Sequence, residues 1–144
     1  MKYAHTMVRV SDLELSLDFY CNKLGLQEIR RMDNHSGRFS LIFLAAPGDE
    51  TAQIELTHNW DEKGYDGGRN FGHVAYRVPN IYATCEQLQA LGVVINRPPR
   101  KGCTGESAFL RRQCSQRDRG QQGRSDRDLG QMGIQHARAW QIGG

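Results

Sequence analysis

Ala4-His5-Thr6-Met7-Val8-Arg9-Val10-Ser11-Asp12-Leu13 returns later in the chain as Gly72-His73-Val74-Ala75-Tyr76-Arg77-Val78-Pro79-Asn80-Ile81. At an offset of 68, His5 meets His73, Arg9 meets Arg77, Val10 meets Val78 and Asp12 meets Asn80. Leu24-Gly25-Leu26 then meets Leu91-Gly92-Val93 at an offset of 67. One supersecondary unit is therefore used twice.

Each copy reads as strand, turn, helix and glycine stop. Thr6, Val8 and Val10 alternate with His5, Met7 and Arg9, the period of a strand. Ser11 and Asp12 are helix-entry residues. Leu13, Leu17, Tyr20 and Leu24 follow helical spacing, and Gly25 suits the left-handed stop. In the second copy Ala83, Leu88 and Leu91 precede Gly92. After the first helix, Leu26–Arg31, Arg38–Ala45 and Gln53–His58 predict three strands joined by Gly, Asp and Pro turns. The fold class is α+β, built of paired βαβββ modules. Module one spans 1–60 and module two begins near 70. The polar, glycine-rich stretch Asn59–Asn70 between them predicts a loop.

The 144 residues suit one domain of two packed repeats. Apolar residues make up 38%, and the 16 glycines close most of the gap to an ordinary globular composition. No apolar run approaches a membrane span, so no membrane partner is expected. The opening residues show no basic start followed by an apolar stretch and cleavage site, which predicts a cytoplasmic location. Cys21, Cys85, Cys103 and Cys114 lack CxxC spacing and read as free thiols. Residues 1–110 carry 12 Lys/Arg against 13 Asp/Glu, whereas residues 111–144 carry 7 against 3. The basic character belongs to the tail, and no nucleic-acid partner is expected.

His5 and His73 hold equivalent places in the two strands. If the modules pack about a pseudo-twofold, two imidazoles converge near the axis, where they suit Zn, Ni, Co or Fe. The plain alternative for either is a satisfied polar residue at a strand start. Glu55 lies in Gln53-Ile54-Glu55-Leu56-Thr57, on the face opposite Ile54 and Leu56. A carboxylate there is costly unless exposed or paired, and a metal would pair it. A solvent-facing Glu on a half-exposed strand is the other reading.

His5-Thr6-Met7-Val8-Arg9-Val10, Ser16-Leu17-Asp18-Phe19-Tyr20, Leu24-Gly25-Leu26, Ile54-Glu55-Leu56-Thr57-His58-Asn59-Trp60 and Gly72-His73-Val74-Ala75 together resemble glyoxalase I (lactoylglutathione lyase), within the vicinal oxygen chelate superfamily. The similarity runs from residue 1 to about residue 110. It implies paired modules forming open barrels, completed in a homodimer with the site at the interface. It implies that His5, Glu55 and His73 ligate a divalent metal, with Glu55 also carrying a proton. Arg9 and Asn59 match contacts to the glutathione part of the substrate, and Arg69 matches a further carboxylate-binding position. The implied reaction isomerises the hemithioacetal of glutathione and methylglyoxal to S-lactoylglutathione. The implied metal is Ni or Zn, with Co open.

The pattern breaks at the C-terminus. The family has a fourth ligand, a Glu near the end of module two that is also the main base. The repeat predicts it at 122 or 123, and a direct alignment nearer 119, but Arg119-Gly120-Gln121-Gln122-Gly123 holds no carboxylate. Residues 111–144 contain 7 Arg, 7 Gln and 6 Gly with no sustained periodicity. The expectation is a domain over 1–112 whose second module, 70–112, is incomplete. Residues 113–144 then form an atypical tail, disordered or the product of a changed reading frame near 100–112. Rival readings are an extradiol dioxygenase or thiol transferase on the same scaffold, and a non-catalytic binding module.

Overall fold

The computed structural model describes residues 1–65, 73–102, 105–111 and 131–136, with side chains described through residue 100. The chain divides into two compact units, one carrying strands β1–β4 and the other β5–β8.

In the first unit, β1 (His5–Arg9) leads into helix α1 (Leu13–Leu17), which continues as a π-helical turn over Asp18–Lys23. β2 (Gln27–Asn34), β3 (Phe39–Ala46) and β4 (Asp49–Asn59) follow. The sheet order is β1-β4-β3-β2, with β1 parallel to β4 and the other pairs antiparallel. Asp12 caps α1 by accepting from the Leu15 amide at 2.9 Å. Gly25 ends the helix at φ 79°, a backbone state that other L-residues enter only at a cost. Val10, Phe19, Tyr20, Leu26, Ile42, Leu44, Ile54 and Leu56 are buried and form this unit's core. Burying such side chains is what stabilises the sheet, at about 1.5–3 kcal/mol each.

The second unit repeats the plan with β5 (His73–Val78), α2 (Ile81–Ala90), β6 (Val94–Gly102), β7 (Gly105–Arg111) and β8 (Gln131–His136). Its sheet order is β5-β8-β7-β6, with β5 parallel to β8. Asn80 caps α2 by accepting from the Tyr82 and Ala83 amides at 3.0 and 3.1 Å. Gly92, at φ 78°, supplies the stop. Ile81, Cys85, Leu88 and Val93 are buried, and α2 packs against β6, β7 and β8.

The sequence offers three strands for the second sheet, and the C-terminal stretch adds one to them. β8 lies between β5 and β7 and supplies the fourth strand. Ladder hydrogen bonds are made by backbone groups and need no particular side chains, so a short stretch such as Gln131-Met132-Gly133-Ile134-Gln135-His136 can fill the slot. The remainder of the expected tail, 113–130 and 137–144, lies outside the described residues. No helix among the described residues is long and apolar enough to cross a membrane.

Candidate functional site

Parallel pairing of β1 with β4 sets His5 beside Gln53, Met7 beside Glu55 and Arg9 beside Thr57. Side chains alternate faces along a strand, so His5, Met7 and Arg9 share one face with Glu55, Thr57 and Asn59. Antiparallel pairing of β3 with β4 adds Phe43 opposite Glu55 on that face. The opposite face carries the core residues Ile42, Leu44, Ile54 and Leu56.

Glu55 is the centre of this face. Its side chain is 11% exposed, and its Oε2 lies 3.0 Å from His5 Nε2. The Thr57 hydroxyl, two residues on, donates to Glu55 Oε1 at 2.9 Å. A buried carboxylate is costly unless its oxygens are bonded, and both have a partner here. The His5 and Phe43 rings also meet in a T, with centroids 5.4 Å apart. The Arg30 guanidinium covers the same ring at 3.7 Å from its centroid. An imidazole and a carboxylate converging this way offer N and O donors to a borderline divalent ion such as zinc, nickel or cobalt. The donor set of this unit thus fits one half of the metal site that the resemblance implies.

At the far end of β4, Asn59 donates its amide Nδ2 to the Tyr65 hydroxyl at 3.1 Å. This contact fixes which way the amide points. Next to it, the Trp60 indole donates to Ser40 Oγ at 2.9 Å, and Ser40 donates to Asp33 at 2.5 Å. Arg38 forks onto Asp61 with two 2.6 Å bonds. That guanidinium holds the exposed Asp61 carboxyl below its ordinary value. The end of β4 is therefore pinned on both sides of Asn59.

His73 is the first residue of β5 and sits beside Gln131, the same register relation that His5 has with Gln53. It belongs to the second unit. Among the described residues, no group of three or more His, Cys, Asp or Glu side chains gathers as a metal site. Arg69, and the positions 119–123 expected to hold the fourth ligand, lie outside the described residues. His58 is a strand residue, half-buried on β4, with Nδ1 3.1 Å from the Val10 carbonyl oxygen.

Sequence reasoning missed three residues of this face. Thr57 was recoverable from its i+2 relation to Glu55. Phe43 lies inside a strand buried on both sides, where alternation carries no signal. Arg30 owes its position to a β-bulge, which no periodicity marks.

The family model for the Glyoxalase/Bleomycin resistance protein/Dioxygenase superfamily matches residues 2–122. A lactoylglutathione lyase of Neisseria meningitidis serogroup A is 46% identical over 114 residues, which is 76% of this chain and 82% of the relative. A probable lactoylglutathione lyase of Synechocystis is 47% identical over 96 residues, covering 66% of this chain and 73% of the relative. Among solved structures, the trypanothione-dependent glyoxalase I of Leishmania major has a TM-score of 0.73 at 25% identity, covering 94% of this chain and 86% of that one. With a face that sets His5 against Glu55, two sheets of one topology and a model match over most of its length, the chain belongs to the Glyoxalase/Bleomycin resistance protein/Dioxygenase superfamily.

Proposed function

We propose that this protein is a metal-dependent lactoylglutathione lyase that isomerises the hemithioacetal of glutathione and methylglyoxal to S-lactoylglutathione. The observation that carries the reading is the buried Glu55 carboxylate, held by Thr57 and His5 on a face that also bears Arg9 and Asn59. Lactoylglutathione lyases at 46–47% identity support it.

His5, Glu55 and His73 would hold the ion, which is nickel or zinc, with cobalt as a further candidate. When bound, it supplies Lewis-acid stabilisation to negative charge developing on the substrate oxygens. Glu55 takes the proton from the sulfur-bearing carbon and returns it to the neighbouring carbonyl carbon. The hydroxyl proton moves to the second oxygen, so an aldehyde-level carbon becomes a thioester and the ketone becomes an alcohol. The redox change is internal and needs no nicotinamide or flavin. Thr57 fixes Oε1, and Oε2, 3.0 Å from His5 Nε2, is the oxygen that would serve the ion and the proton. Arg9 offers a planar fork to a glutathione carboxylate. Asn59, with Nδ2 engaged by Tyr65, presents its Oδ1 as an acceptor for an ammonium group. The functional unit is a homodimer, which brings together modules of two chains, and Arg69 is a further carboxylate contact.

A specific observation favours a second reading, a metal-binding but non-catalytic member of the superfamily. Gly133 pairs with Ala75 as Glu55 pairs with Met7, so the equivalent position of the second sheet has no donor side chain. Purified protein loaded with Ni²⁺ or Zn²⁺ and given methylglyoxal and glutathione separates the two. Thioester formation that stops on chelation supports the lyase. Tight metal binding without turnover supports the second reading.

A further inference from the structure

Tyr65 is 39% exposed, so core packing does not explain where it sits. Its hydroxyl accepts from Asn59 Nδ2 at 3.1 Å, and the chain between the two is built to return it there. β4 ends at Asn59, whose carbonyl oxygen accepts from the Glu62 amide at 3.1 Å and closes a turn. Both central residues of that turn are tied to the start of β3. The Trp60 amide donates to the Arg38 carbonyl oxygen at 3.0 Å, and its indole donates to Ser40 Oγ at 2.9 Å. Asp61 accepts the Arg38 fork. The chain therefore leaves a fixed turn at Glu62, and three residues later Tyr65 meets the side chain at which the turn began.

An asparagine side chain ends in an acceptor oxygen and a donor nitrogen, and its last torsion has a broad, two-fold preference. Alone, Asn59 would offer either end to a ligand. With Nδ2 held by Tyr65, Oδ1 is the end left, and among the described residues no donor fills it. Arg9 stands one strand over and pairs with Thr57, two residues before Asn59 on the same face. The backbones of Arg9 and Asn59 are about 7–8 Å apart on this diagonal. Fork and oxygen then match the two charges that an α-amino acid head carries on one carbon, a carboxylate and an ammonium. With the amide reversed, the same place would hold donors alone and would repel the ammonium.

We infer that Tyr65 is a positioning residue for substrate binding, which holds the Asn59 amide oxygen outward so that the site selects a γ-glutamyl end carrying its free α-ammonium. The inference rests on the glutathione reading above. Tyr65 acts through Asn59 and not on the reacting atoms. A side chain ordered ahead of binding spares the ligand the cost of ordering it.

Calorimetric titration of the full chain loaded with Zn²⁺ tests this, with S-methylglutathione against its deamino analogue, in which hydrogen replaces the α-amino group. The wild type is expected to prefer the amine by about tenfold, the worth of one charge-assisted hydrogen bond in part-exposed surroundings. Tyr65→Phe should weaken binding of S-methylglutathione by about two- to tenfold and leave that of the analogue unchanged. Adding Asn59→Asp to Tyr65→Phe should restore the preference, because a carboxylate offers an oxygen whichever way it turns. Equal affinities in the wild type overturn the assignment, as does a Tyr65→Phe that weakens both ligands alike or neither. A preference that Asn59→Asp fails to restore overturns it too. Failure of the wild type to bind either ligand removes the glutathione reading itself, and this proposal with it.

Discussion

Glu55 and Gly133 occupy the same place in their two sheets. Glu55 pairs with Met7 on the strand that begins at His5, and Gly133 pairs with Ala75 on the strand that begins at His73. One position bears a carboxylate and the other a hydrogen atom. Gly133→Glu is therefore expected to add a donor beside His73. Divalent-metal affinity should rise by about tenfold or more, the scale on which even outer-shell changes act, and turnover of the hemithioacetal should rise with it. Competitive metal titration and thioester formation measure the two effects.

Removing a donor from the other half should do the reverse. His5→Ala and Glu55→Gln each take one atom from the 3.0 Å pair. Since outer-shell changes already cost 10–100-fold in affinity, loss of a direct donor should exceed about 100-fold. Metal content after dialysis checks this, with circular dichroism to confirm the fold.

Thr57→Val preserves shape and deletes the hydroxyl that donates to Glu55 Oε1. A hydrogen bond to a charged group contributes about 1.5–3 kcal/mol, and its loss leaves a buried oxygen unpaired. Urea denaturation should show a stability loss of that order. Thr57→Ser should recover most of it.

The Arg38–Asp61 fork predicts an acid-limb effect. Hydrogen bonds from Arg38 lower the folded-state pKa of Asp61. A lowered folded value means the stabilisation is complete above the unfolded pKa and is lost as pH falls through the folded one. Asp61→Asn should therefore narrow the stability difference between neutral and strongly acidic pH. The pair is solvent-exposed, so the effect should shrink in high salt.

Cys85 is buried in α2, and burial raises its thiol pKa. The thiolate is the reactive form, so iodoacetamide at neutral pH should leave Cys85 unlabelled until denaturant is added. Peptide mass spectrometry with and without urea reads this directly.

The repeat made much of the fold legible. Asp12 and Asn80 cap their helices, and Gly25 and Gly92 stop them, as their types and places imply. The face shared by His5, Arg9, Glu55 and Asn59 follows from counting by twos. Counting failed where spacing changed. The offset that relates His5 to His73 places the partner of Glu55 at 122 or 123, whereas the register assigns Gly133, because the connection before β8 is longer than its counterpart before β4. β8 itself offers only Met132 and Ile134 as alternating apolar residues, amid Arg, Gln and Gly. The bulge at Ile29 was equally silent, since one inserted residue alters direction without altering composition.

In each sheet the strand made last is seated next to the strand made first. The ribosome must therefore release β5 long before the segment that neighbours it. Until Gln131–His136 emerges, the amides and carbonyls along His73–Val78 lack their ladder partner. Exposed strand edges of this kind recruit other chains. Truncation between residues 78 and 131 should consequently yield nascent protein that clumps, whereas the first sheet has all four of its strands by Asn59 and should escape this.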